Sequence, residues 1–171
     1  MNRKELALSI ARVSTLEGDF LLRSGRRSTQ YFDKYRFESD PTLLRAIAEQ
    51  LADLIPTGID AFAGLELGGV PLATALSLHT GVPTLFIRKQ AKGYGTCQLA
   101  EGGQVVGRRV LVVEDVVTSG GQVVESCAAL RALGAEVAHA LCVIDRQAGG
   151  RDALSAIGVE LHPLFVATDL S

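Results

Sequence analysis

The residues best suited to chemistry lie in one stretch, RRVLVVEDVVTSGGQ, from Arg108 to Gln122. Glu114 and Asp115 put two carboxylates side by side. Thr118 and Ser119 then add hydroxyl donors, and Gly120 and Gly121 let backbone N–H groups come close to a ligand. A helix starting there offers unpaired N–H groups and the positive end of its dipole. That combination holds a phosphate. The acids would repel a phosphate, so they must face other groups, and ribose hydroxyls or a metal ion are the natural partners. Together the residues describe a site for a sugar phosphate. Ser, Thr and Gly also cap helices after buried strands. The acid pair at the carboxyl end of the apolar run weighs for a ligand, because ligands gather at that edge of α/β sheets.

Other segments carry compatible chemistry. Glu66, Leu67, Gly68 and Gly69 form a second Gly-rich turn between an apolar run and a helix, again offering backbone N–H groups to an anion. Residues 88–103 form a long loop with glycines at 93, 95, 102 and 103 and cations at Arg88, Lys89 and Lys92. Cations on a lid suit a substrate that carries phosphates and releases pyrophosphate, although a solvated surface loop has the same composition. Arg23, Arg26, Arg27, Lys34 and Arg36 cluster near the N-terminus, where a solvated hairpin is the plainer reading. Arg146 follows an apolar run directly, and its fork fits a carboxylate or adjacent oxo groups; an ion pair with Asp145 or Asp152 would satisfy it equally. The GxxxxGK[ST] phosphate loop is missing.

VLVVEDVVTSGGQ resembles the phosphoribosyl-pyrophosphate (PRPP) binding motif of type I phosphoribosyltransferases, in which an apolar strand, two acids, two apolar residues and a Thr-led Gly-rich loop follow one another. Three further elements resemble the orotate phosphoribosyltransferases in the same order along the chain. Leu-Arg-Ser-Gly with the paired aromatics Tyr31 and Phe32 is similar to their N-terminal hood. Arg-Lys-x-x-Lys-x-Tyr-Gly from Arg88 is similar to their catalytic loop. Asp-Arg-x-x-Gly-Gly from Asp145 is similar to their orotate-reading element. The resemblance implies a type I phosphoribosyltransferase-like α/β fold, with a central, mostly parallel sheet flanked by helices and a small hood over about residues 1–40 of a single domain, 1–171.

It also implies roles. Lys92 would be the main catalytic cation, acting with Glu114 and Asp115. PRPP would be bound by Arg23, Arg88, Lys89, Lys92, Glu114, Asp115, Val116, Val117, Thr118, Ser119, Gly120, Gly121 and Gln122. Glu66 to Gly69 would form the pyrophosphate loop, and some members carry a lysine at the place of Gly68, a contact that backbone would replace here. Tyr31, Phe32, Thr118 and Arg146 would hold orotate. Some members have His at the position of Tyr94; no acid catalysis is assigned to the tyrosine. Mg²⁺ would be held mainly by substrate oxygens, with no direct protein ligand. The active form would be a homodimer sharing its catalytic loop. Many relatives continue with a further helix beyond the last strand, a difference expected to touch stability or the dimer surface. A phosphoribosyltransferase for another base, or a PRPP-sensing regulator on the same fold, is the alternative.

Positioning these groups requires alternating strands and helices. Leu6, Ile10, Val13 and Leu16 predict a helix over residues 2–16, broken at Glu17-Gly18-Asp19. Short strands are expected at 20–22 and 31–33. Asp40 and Pro41 open a helix whose apolar face is Leu43, Leu44, Ile47, Leu51 and Leu54. Strands at 59–63, 83–87, 136–144 and 159–165 join the Val110–Val113 run, with helices to His79, over 123–133 and over 151–157. Runs so apolar on both faces suit a parallel sheet covered on both sides.

The composition fits this reading. A chain of 171 residues with 47% hydrophobic and 21% charged residues is large enough for a sizeable core. Its net charge of −2 argues against nucleic acid as a partner. No stretch approaches a membrane span, and the N-terminus lacks an apolar signal core. Cys97, Cys127 and Cys142 lack metal spacing, and reduced thiols in a cytoplasmic protein are expected.

Overall fold

The Val110–Val113 run lies at the centre of the computed structural model, which describes residues 1–22, 25–91 and 99–170. It belongs to β6 (Arg109–Val117), flanked by β3 (Ala61–Leu65) and β7 (Glu136–Asp145). Beyond these lie β4 (Thr84–Ile87), β5 (Ala100–Glu101) and β8 (Glu160–Val166), in the order β5-β4-β3-β6-β7-β8. All pairings are parallel except β4 with β5. Both faces are covered. Leu111 and Val113 pack with Phe62, Leu72, Ile47 and Leu6 on one side. Val110 and Val112 pack with Val123, Cys127, Leu130 and Leu154 on the other. Each fully buried aliphatic side chain contributes roughly 1.5–3 kcal/mol, so the run expected to be central also anchors the core.

Helices α1 (Arg3–Ser14), α3 (Pro41–Ala52) and α4 (Gly69–Thr80) supply the first layer, and α5 (Gly121–Ala132) and α6 (Gly150–Ser155) the second. The predicted start of α3 is present: Asp40 Oδ1 accepts from Thr42 N at 2.8 Å and Leu43 N at 3.1 Å, with Pro41 at the first position. Cys127 and Cys142 are buried free thiols, and burial raises both pKa values.

Local elements differ from the sequence reading near the N-terminus. Helix α1 stops at Ser14, and Glu17-Gly18-Asp19 lies inside β1 (Thr15–Leu21) rather than in a break. A register shift between Glu17 and Phe20 takes up the irregular residues, and Arg27 pairs with Asp19 across to β2 (Arg27–Phe32). A bulge lets Gly and Asp remain in a strand. Short α2 (Tyr35–Ser39), two-residue β5 and a 3₁₀ turn at Ala167–Leu170 were not expected; each is too short to show a period.

Candidate active site

The strands end at different heights. Gly64 on β3 pairs with Val113, so Asp115, Val116 and Val117 project past the end of β3, while Val117 stays level with Asp145 and Val166. This overhang carries Asp115 and the Thr118–Gly120 turn toward the β1–β2 hairpin. A cavity of about 630 Å³ lies there. Tyr31 and Phe32 line it from the hairpin, Val116 and Thr118 from the end of β6, and Arg146 from just beyond β7. The structure therefore brings Tyr31, Phe32, Thr118 and Arg146 together. The Arg146 guanidinium sits over the Phe32 ring, 5.7 Å from its centre, and Arg146 N–H donates to Val117 O at 2.8 Å.

The turn after β6 is open. Thr118, Ser119, Gly121 and Gln122 are exposed. A Cβ placed on Gly121 would meet nothing within 4 Å. Gly120 has φ +79° and caps α5 without a side-chain bond, which favours glycine there. Behind the turn, Gly120 rests against Gly150. A bare helix start with neighbouring hydroxyls fits a phosphate.

The second turn is closed. A Cβ on Gly68 would lie 1.5 Å from Asp115 Oδ2, and one on Gly69 would lie 2.1 Å from Val113 O. Both glycines are buried, whereas Leu67 is 61% exposed. Glu66 turns away and accepts from Lys89 N at 2.9 Å, tying this turn to the root of the 88–103 segment. Arg88 N donates to Leu99 O at 2.9 Å, closing the same root.

The acids are buried, with Asp115 0% and Glu114 8% exposed. Asp115 N donates to Glu114 Oε1 at 2.9 Å, and Lys34 Nζ lies 2.6 Å from Asp115 Oδ2. Burial, then Asp115, pushes Glu38 up to about 9. The same causes, burial first, push Glu114 up to about 8. Burial opposes the charge on Lys34, but the Asp115 carboxylate outweighs it and raises the lysine pKa. The Lys34–Asp115 contact thus neighbours two carboxyls, Glu38 and Glu114, that hold protons near neutral pH. Lys34 also lines the cavity. The sequence reading counted Lys34 only in a basic cluster and did not single out Glu38. The signal available for Lys34 was its place two residues after the aromatic pair.

Arg23, Lys92, Tyr94 and Cys97 lie outside the described residues. The expected Mg²⁺ fits the remaining residues in a limited way. Among the described residues the site holds no cage of three or more free acids, and Asp115 is already engaged by Lys34. That donor set suits an ion carried largely by substrate oxygens.

Residues 37–157 match the family described as a phosphoribosyl transferase domain. Orotate phosphoribosyltransferase of Nocardioides sp. is 52% identical over 165 residues, covering 96% of this chain and 92% of that protein. The fold superposes on orotate phosphoribosyltransferase of Mycobacterium tuberculosis in complex with Fe(III) dicitrate with a TM-score of 0.90, at 34% identity, over 99% of this chain and 98% of that one. The same enzyme in complex with PRPP gives a TM-score of 0.85 at 32% identity, over 98% of each chain. Overhanging Asp115, the open turn after β6 and the arginine beyond β7 thus sit in a frame shared with these proteins, and the chain belongs to the phosphoribosyltransferase family, in its orotate phosphoribosyltransferase branch.

Proposed function

We propose that the chain transfers the phosphoribosyl group of PRPP to orotate, giving orotidine 5′-monophosphate and pyrophosphate in pyrimidine nucleotide synthesis. The observation that carries this reading is the cavity joining Thr118, at the phosphate turn, to Arg146 and the Tyr31–Phe32 pair. Backbone N–H groups of Thr118 to Gln122 hold the 5′-phosphate, with the Ser119 hydroxyl beside them and Val116 and Val117 fixing the approach. Arg146 pairs with the orotate carboxylate, and the hairpin covers the ring.

During transfer the bond from the anomeric carbon to pyrophosphate breaks and a bond to the orotate ring nitrogen forms. That nitrogen is nucleophilic once deprotonated, so no strong protein base is required. Positive charge develops on the ribose ring, and Glu114 and Asp115 face its hydroxyls. Lys34 leaves Asp115 when the ribose arrives and moves to an anionic oxygen. Arg23, Arg88, Lys89 and Lys92 neutralise phosphate charge, and Glu66, Leu67, Gly68 and Gly69 border the pyrophosphate. Mg²⁺ supplies further neutralisation on the pyrophosphate. The working form is a cytoplasmic homodimer in which the 88–103 segment of one subunit serves the other; neither nucleic acid nor membrane takes part.

The test is orotate consumption, followed by its ultraviolet absorbance with PRPP and Mg²⁺, beside hypoxanthine, adenine and uracil. Loss of orotate dependent on PRPP is expected. Arg146→Ala should cut that rate by about 100-fold, the order of one lost charged contact, while leaving PRPP binding in place. Turnover of a different base by the unaltered chain would overturn the assignment of Arg146 to orotate.

A further inference from the structure

On the amino-terminal half of the sheet, away from the cavity, β7 and β8 bring three potential metal ligands together. His139 pairs with Glu160 in the parallel register, and Leu141 pairs with His162. Residues two apart on a strand share a face, so His139, Glu160 and His162 all project to the same side. His139 Nδ1 lies 3.1 Å from His162 Nε2. Glu160 Oε2 lies 3.6 Å from His139 Nδ1 and 3.7 Å from His162 Nε2.

We propose that His139, Glu160 and His162 form a binding site for a zinc-class divalent transition metal ion. Three donors around such an ion with bonds of ~2.0–2.1 Å stand ~3.3 Å apart in a tetrahedron. The three observed separations bracket that edge, so small rotamer changes complete the geometry. Two imidazoles and one carboxylate suit zinc, nickel or copper, whereas Mg²⁺ prefers oxygen donors. The site is therefore chemically distinct from the Mg²⁺ expected with PRPP. Glu160 is exposed and both histidines are half-buried, which leaves a fourth position for water.

Glu160 is the acidic group against both imidazoles, and a neutral imidazole is the ligating form. Arg151 is the other charge acting on His162; it is drawn toward Asp145 at 3.6 Å and toward Leu161 O at 3.4 Å. A bound ion would clamp edge strand β8 to β7. His139 stands six residues before Asp145 on β7, roughly 20 Å along the strand, so the ion acts on the scaffold and does not touch the substrates.

The experiment uses the full chain, stripped with a chelator and titrated with Zn²⁺ by calorimetry, with Co²⁺ as a spectroscopic probe. One ion per chain is expected to bind, resist excess Mg²⁺ and raise the melting temperature. Co²⁺ should give the visible bands of a four-coordinate site without a thiolate charge-transfer band. The variant H139A/H162A should weaken binding by more than the ~10–100-fold that losing an outer partner costs, and E160A should weaken it less. Circular dichroism and PRPP binding check that these variants fold, and H162Q replaces the double variant if they do not. Equal Zn²⁺ affinity in the original and altered chains would overturn the proposal. So would a thiolate band, which would place the metal on a cysteine.

Discussion

Two turns look alike in the sequence and differ in the structure. Gly64–Gly69 and Thr118–Gly121 each end a parallel strand, each contains paired glycines and each starts a twelve-residue helix. In the first turn the glycines are filled space: Gly68 makes room for Asp115, and Gly69 for the Val113 carbonyl. In the second, Gly121 faces nothing within 4 Å. Glycine answers two opposite needs here, close packing in one turn and access in the other. Only the neighbours reveal which need applies.

Substitution should separate the two turns. Gly69→Ala puts a methyl group on a backbone carbonyl that cannot move alone, and should cost about 3 kcal/mol in chemical denaturation. A small loss would mean that α4 can slide off β6 and that the first turn is less closed than described. Lys34→Ala strips the cation from fully buried Asp115. It should cost about 2 kcal/mol, below the range for fully buried pairs because Lys34 is 34% exposed. Unchanged stability in denaturation would show that water or Glu38 replaces the lysine.

The acids behind the closed turn also predict a pH dependence. Glu38 and Glu114 have raised pKa values in the folded chain, about 9 and about 8. Below the unfolded value, ~4.3, both states hold these protons and the stabilisation is complete. It is lost as pH rises toward the folded values. The unliganded chain should lose stability between about pH 5 and pH 8, by at most ~1.4 kcal/mol per pH unit per group, and Glu38→Gln should flatten the curve. A denaturation midpoint that rises over this range would contradict the buried protons.

The smallest stability effect belongs to the open turn. Gly121→Ala should stabilise the fold by about 0.5 kcal/mol, because it restricts the unfolded chain and meets no neighbour. It should nevertheless weaken PRPP binding by about tenfold or more, equivalent to ~1.4 kcal/mol. Opposite signs for stability and binding in one variant would sharpen the contrast with Gly69. Unaltered PRPP affinity would remove the phosphate from this turn.

The parts of the site legible in the sequence were local ones. An apolar run, two acids, hydroxyls and paired glycines lie next to one another in the chain, and the strand–turn–helix unit follows from their order. The Asp40–Pro41 helix start was legible for the same reason. The meeting of Tyr31 and Phe32 with Thr118 and Arg146 joins segments far apart in the chain; resemblance to a family pointed to it, whereas spacing alone did not. Lys34 and Glu38 escaped attention because their importance comes from Asp115, on a distant strand. Glu17-Gly18-Asp19 reads as a breaker by residue type, but pairing with β2 and the bulge keep it in β1. The packed state of Gly68 and Gly69 has no local signature, since the atoms that demand it belong to β6.

The contact between Gly120 and Gly150 has a consequence for anyone wishing to retool this protein. A Cβ on Gly150 would lie 2.4 Å from Val117 Cγ1 and 2.6 Å from Thr118 O. The segment that carries Arg146 is thus seated directly on the segment that carries Thr118. The two cannot be exchanged as independent cassettes. Grafting the 145–150 segment of another phosphoribosyltransferase would succeed only if a glycine arrives at position 150; a bulkier newcomer would shift the neighbouring loop.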